Sequence, residues 1–186
     1  PMEMVELFPV TEFFKTIPLL ALANFGQWSE ILIEPQPPVH LLFSNGIWRY
    51  VRAVAYTKLG QLDAARMEYA ALQIVRQATG IAQLDAVDYP ATLLLQIADQ
   101  LVQGEILMTE GSHAKAIDSF KAAVTIQSQL PYTEPPFWYY PIQLSLGKAL
   151  LESGDGAQAE NVYRENLKHY PKNGWALYGL MRALEV

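Results

Sequence analysis

One frame of small, apolar and turn residues recurs three times along this chain without a gap. Ala53, Tyr56, Gly60, Ala65 and Tyr69 form the first copy. Gly104, Leu107, Gly111, Ala116 and Phe120 form the second, and Gly147, Leu150, Gly154, Ala159 and Tyr163 the third. The steps are +3, +4, +5 and +4 in every copy, and the copies start 51 and then 43 residues apart. Steps of three and four keep residues on one face of a helix. A glycine breaking that pattern at a fixed place turns each copy into two helices and a turn. A fold of strands is thereby excluded over most of the chain, and a stack of repeated helical units is what remains.

Each residue type has a physical task at its place. The small residue Ala53, Gly104 or Gly147 allows two helices to approach closely. Gly60, Gly111 and Gly154 stand where a left-handed cap must end the first helix, and that conformation has φ > 0. Ala65, Ala116 and Ala159 permit close packing on the second helix. The aromatic or apolar ring four residues later lies one turn along the same face and fills the space between helices. Such a unit cannot cover its own apolar face, so it is stable only against neighbours.

This pattern resembles the tetratricopeptide repeat. That family places a small residue, a large apolar one, a turn glycine, an alanine and an aromatic at these spacings, and Pro171 fits the proline at the end of its repeat. The family's usual period is 34 residues, so the longer units here imply extended helices and inserted loops. The stretches LPYTEPPFWYYPIQLSLGKALLESG and NGWALYGLMRAL further resemble the C-terminal half of a group of large bacterial proteins with such repeats. The resemblance implies an all-α, right-handed superhelical array of antiparallel helix hairpins. It also implies a protein-interaction scaffold whose concave face is lined by the first helix of each hairpin.

Partial units flank the three full ones. Leu22, Gly26 and Trp28 match the first helix, the turn and the second helix of an N-terminal unit, with Ile31 in place of the alanine and Pro35 cutting the second helix short. Trp175 and Gly179 match the opening helix of a further unit. The predicted helices are 11–24 and 27–34, 39–59 and 61–77, 90–110 and 112–129, 136–153 and 155–169, and 173–185. They group into units of about 11–35, 39–77, 90–130 and 136–171 with a terminal helix 173–185, all in one domain 1–186. Ser44-Asn45-Gly46 offers an alternative start for the third helix, near 46. The stretch 78–89 reads as an inserted linker, and Pro35-Gln36-Pro37-Pro38 as a non-helical loop. Pro1 is not a natural translation start and the helical pattern runs to Glu185-Val186 without a stop signal. The chain is therefore expected to be a piece of a longer protein.

Residues 134–141, EPPFWYYP, interrupt the pattern. Pro135 and Pro136 block a preceding helix and Pro141 suits a first turn. The stretch is expected to lead into the fourth hairpin, adding about a turn to it. Two or three of its four aromatics are expected to pack on the preceding hairpin, at Phe120 and Val124. In the alternative reading Trp138 or Tyr139 edges a ligand groove, since such rings join a large contact area to a polar tip.

The chemical inventory is thin. Net charge is −6, and the thirteen Lys and Arg are scattered, so no nucleic-acid footprint is expected. Apolar residues make up 51% of the chain, too many for disorder, yet no run spans a membrane and no signal segment opens the chain. Cysteine is absent, which removes thiolate chemistry and fits a reducing, cytoplasmic setting. His40, His113 and His169 have no second ligand at metal spacing. Asp85 and Asp88 read as solvated loop acids; a small-molecule or hydrolytic site built from them and His40 is the weakest reading. Gly154-Asp155-Gly156 lacks the lysine and strand of a phosphate loop. No catalytic residue, metal or cofactor is expected.

Carried over residue by residue from the resemblance, the groove positions are Tyr50, Val54 and Thr57 from the first full unit, Leu101, Glu105 and Met108 from the second, and Leu144, Lys148 and Leu151 from the third. Family members that clamp a terminal carboxylate use Lys, Arg and Asn here, and only Lys148 fits, which argues against that mode. The lining is otherwise apolar. It calls either for an apolar peptide or helix, or for a covering segment of the same protein; alternatively these side chains partly bury one another. Trp175, Leu177, Tyr178, Leu180, Met181 and Leu184 spread around the terminal helix and predict an exposed apolar patch, a candidate dimer contact. The expected function is a non-catalytic scaffold that binds a protein. The alternative is the structural half of a larger enzyme or regulator whose active part lies in an N-terminal region.

Overall fold

A computed structural model describes residues 11–186. Its described residues form ten helices and no strand: α1 (Glu12–Asn24), α2 (Trp28–Ile33), α3 (Leu42–Lys58), α4 (Leu62–Arg76), α5 (Thr79–Asp85), α6 (Ala91–Thr109), α7 (His113–Gln127), α8 (Gln143–Glu152), α9 (Gly156–His169) and α10 (Gly174–Ala183). Helices α3/α4, α6/α7 and α8/α9 pack as antiparallel hairpins, and α1/α2 is a shorter one. Each hairpin leans on the next, through α3 and α4 on α6, α7 on α8, and α9 on α10. The architecture is the all-α array of helical hairpins that the repeated frame predicts.

The frame residues do what their chemistry requires. Gly60, Gly111 and Gly154 have φ of +74°, +75° and +85°, and open space surrounds the position a Cβ would take, so backbone conformation alone demands glycine there. Ala53, Ala65, Ala116 and Ala159 are fully buried. A Cβ on Gly104 would stand 2.6 Å from the Phe120 ring, and one on Gly147 would stand 2.5 Å from the Tyr163 ring. The aromatic thus fills the space left by the small residue of its own hairpin. Tyr163 also covers Gly179 of α10, where a Cβ would fall 2.2 Å away. Gly179 therefore treats α9 as a following unit would, and α10 is packed as the first helix of such a unit.

The first hairpins are tied down by polar contacts between elements. Glu12 of α1 is buried and accepts the Ser44 N–H at 2.7 Å, near the free N-terminus of α3, where no local side chain caps. Asn45 donates to Leu41 O and Pro38 O, so it fastens the Pro-rich loop rather than opening a helix near 46. Arg49 and Arg52 converge on the buried carboxylate of Glu68, and Arg52 stacks 4.4 Å from the Trp48 ring.

Three expectations are corrected. The stretch 78–89 is not a bare linker, because α5 lies within it and buries Ile81 and Leu84, three residues apart on one face. Asp85 is exposed as expected, but it ends α5 rather than lying in a loop, and it accepts the Thr92 N–H at 3.0 Å, capping α6 from outside. The fourth hairpin begins at Gln143 rather than 136: residues 134–141 add no helical turn and run as an irregular strap. The ring of Pro141 disfavours the helical conformation at Tyr140, and that of Pro136 does the same at Pro135, so the helix starts only after the last proline.

Candidate functional site

The strap decides the shape of the site. Trp138 belongs to the hydrophobic core, and Phe137, Tyr139 and Tyr140 pack against it. The strap's rings do not pair with Phe120. Trp138 is buried with its ring 5.4 Å from Tyr50, and Phe137 stands edge-on to Tyr89 at 5.7 Å. Tyr139 and Tyr50 join hydroxyl to hydroxyl at 2.9 Å. The strap is anchored to α7 by Gln127, which donates to Tyr140 O at 3.0 Å and accepts the Ile142 N–H at 2.9 Å. So the strap bridges the first helix of one unit and the last helix of another. The missing signal was a pairing of Tyr50 with Tyr139 across 89 residues, which no local pattern encodes.

On one side of the strap is a concave groove of about 780 Å³. It gathers Tyr50 and Val54 from α3, Leu101 and Glu105 from α6, and Leu144, Lys148 and Leu151 from α8, with Tyr139 of the strap. The terminal helix closes it with Trp175, Tyr178 and Arg182. These residues do not share one status. Tyr50 and Leu101 are 2% and 1% exposed and form a floor, not a contact surface. Glu105, Leu144, Leu151 and Tyr139 are half-buried and Lys148 is exposed. Thr57 leaves the set: it is buried, with its hydroxyl turned back onto Ala53 O at 2.8 Å. Met108 sits beside the groove in a small recess with Glu105 and Lys148. Trp138 faces the other side of the strap.

The groove's charges are already paired. Lys58 holds Glu105, Lys148 lies 3.6 Å from Glu152, and Arg182 lies 3.3 Å from Glu185. Among the described residues this face carries no free cation cluster of the kind a carboxylate clamp needs. Burial pushes the Tyr50 and Tyr139 hydroxyls well above the usual phenol range, and Tyr140 upward as well, so all three are neutral hydrogen-bonding groups. Among the described residues no group of three His, Asp or Glu is placed to hold a metal ion. His113 opens α7, His169 closes α9 with Glu165 3.9 Å away, and exposed His40 precedes α3. No helix among the described residues is long and apolar enough to cross a membrane.

The family model for the tetratricopeptide repeat matches residues 101–130, which cover the C-terminal part of α6 and all of α7. Residues 101–130 are thus similar to a tetratricopeptide repeat. The matched segment is the central hairpin, carrying Gly104, Leu107, Gly111, Ala116 and Phe120. Tetratricopeptide repeats generally mediate protein–protein interaction and are typically non-catalytic. No curated protein and no solved structure matches the chain.

Proposed function

We propose that this array of helical hairpins is a scaffold that binds an apolar peptide or helix of a partner protein in the concave groove. The supporting observation is the convergence of seven first-helix positions from three hairpins on one cavity, at the place where repeats of this kind receive their partners. Its accessible lining is Tyr139, Leu144, Lys148, Leu151, Trp175 and Tyr178 over a buried floor of Tyr50 and Leu101. Aromatic rings with paired charges around them suit an uncharged, apolar ligand face.

The test is capture of partners by wild type and by Lys148→Glu/Tyr178→Glu, both positions being exposed enough to change without unfolding the chain. The captured partner's minimal segment is then titrated against both proteins by calorimetry. Saturable one-to-one binding lost in the variant supports the reading. Equal binding by both proteins, or no saturable binding, refutes it.

A second reading is favoured by α10. Trp175, Leu177, Tyr178, Met181 and Leu184 are between 46% and 63% exposed, a continuous apolar surface on a helix packed as though a neighbour followed it. In that reading another part of the same protein, or a second copy through 173–185, covers α10 and the groove's open side. Sedimentation of wild type against Leu177→Lys/Met181→Lys separates a self-associating chain from a monomer.

A further inference from the structure

The other side of the strap holds a second cavity, of about 920 Å³. It lies between α1, the strap and the turn 170–175, and it shares Asn24, Tyr139, Tyr140, Pro141, Asn173 and Trp175 with the groove as a common wall. Its character differs from the groove's. Phe13, Ile17, Phe137 and Trp138 give it apolar and aromatic sides. Among the described residues its lining contains no acid and one charged side chain, Lys172, which makes no ion pair with any of them. The N-terminus of α10, capped by Asn173, lies on the same wall as Lys172 and adds to the positive end.

The polar groups that line this cavity are mostly committed elsewhere. Gln127 uses both ends of its amide on the strap backbone. The Asn173 carbonyl oxygen accepts the N–H groups of Trp175 and Ala176. The hydroxyls of Tyr139 and Tyr140 pair with Tyr50 and Ser145. A peptide laid here would bring an N–H and a C=O at every residue and find few partners for them. An alkyl chain brings none. The volume stands near the top of the range of about 300–1,000 Å³ typical of small-molecule sites.

We propose that this second cavity binds a single-chain amphiphile with a carboxylate head, of the fatty-acid class. The carboxylate pairs with Lys172 and the chain lies along Ile17, Phe13 and Trp138. The charge pattern selects the head group: an ammonium head would meet Lys172 and no acid, and an uncharged head would leave Lys172 unused. The site is separate from the groove of the proposed function, because Phe13, Ile17 and Lys172 line only this cavity.

The experiment is calorimetric titration of the whole chain with dodecanoate, dodecan-1-ol and dodecyltrimethylammonium, each below its micellar concentration. Wild type is run beside Lys172→Glu, Ile17→Asp and the groove variant Lys148→Glu, with helicity and melting checked by circular dichroism. Dodecanoate is expected to bind one to one and more tightly than the other two. Lys172→Glu is expected to weaken it about tenfold and to favour the ammonium instead. Ile17→Asp is expected to abolish binding, and Lys148→Glu to leave it unchanged. Should Ile17→Asp fail to fold, the head-group reversal at Lys172 still decides. No saturable binding, equal affinity for the three head groups, loss in Lys148→Glu rather than Lys172→Glu, or tighter binding of an apolar hexapeptide with a free C-terminus would each overturn the proposal.

Discussion

The hydroxyls of Tyr50 and Tyr139 meet at 2.9 Å inside the array, one from the first full hairpin and one from a strap 89 residues later. Tyr50 is 2% exposed and Tyr139 is half-buried, so removing either hydroxyl strands the other in a largely desolvated place. Tyr50→Phe and Tyr139→Phe should each cost about 1–3 kcal/mol. The double variant should cost no more than either single one, because the orphaned partner is then gone too. Urea denaturation of the four proteins checks this, and additive losses would show that the two hydroxyls are not coupled.

The same burial governs the response to alkali. Burial raises Tyr69 and Tyr163 to about 12, with the Asp99 and Glu152 charges respectively pushing the same way, and it raises Tyr50, Tyr89, Tyr139 and Tyr140 further. In the unfolded chain these phenols ionise near ~10. A folded pKa above the unfolded one stabilises below the unfolded value, and that contribution is lost as pH rises toward the folded one. Melting temperature should therefore hold level up to about pH 10 and fall steeply from there toward 12. Tyrosinate absorbance should show only part of the chain's ten tyrosines titrating before unfolding. All ten ionising together near the ordinary value, with the helices intact, would contradict the burial.

Local chemistry made the hairpins readable. Gly60, Gly111 and Gly154 are visible in the sequence because only glycine takes φ > 0 without strain, and the small-to-aromatic spacing is visible because it is one helical face. The groove positions Val54, Glu105, Leu144, Lys148 and Leu151 meet in space because the hairpins align their first helices. What stayed hidden depends on long-range folding. Pro135, Pro136 and Pro141 announced a break, but not that Trp138 and Tyr139 would turn back onto Tyr50. That turn makes Tyr50 a floor and creates the second cavity. Helix α5 was missed for a different reason: it is seven residues long, and the Ile81/Leu84 pair is too short a signal beside Gly80.

The small residue of each unit should be intolerant of a single methyl group. A Cβ on Gly104 would lie 2.6 Å from Phe120, a ring that is 2% exposed and cannot swing into solvent. Gly104→Ala should destabilise by about 1–3 kcal/mol through overpacking. Adding Phe120→Leu should recover part of that loss, because the leucine withdraws the ring edge the new methyl meets. Chemical denaturation of the two singles and the double tests the pair. A Gly104→Ala protein as stable as wild type would mean that the hairpin spacing is not set by this contact.

Glu12 carries a cost that depends on pH. Burial raises its carboxyl above the ordinary range; the Ser44 N–H and the His40 charge oppose that shift without cancelling it, and the buried Tyr89 hydroxyl lies near enough to feel the carboxylate. A carboxyl raised on folding is stabilising below its unfolded value, about 4.3, and that contribution disappears as pH rises through the folded value. Ionised Glu12 at neutral pH thus still caps Ser44, but at the expense of its own desolvation. Glu12→Gln keeps an oxygen to accept the Ser44 N–H and removes the charge. Its melting temperature relative to wild type should be more favourable at pH 7 than at pH 4. Glu12→Ala removes the acceptor, leaves the Ser44 N–H buried and unmet, and should cost about 1–3 kcal/mol at both pH values. Matching behaviour of Gln and Ala across pH would show that α1 is held by its apolar face alone, through Leu19 and Leu20, and that the carboxylate contributes nothing to docking the helix that walls the second cavity.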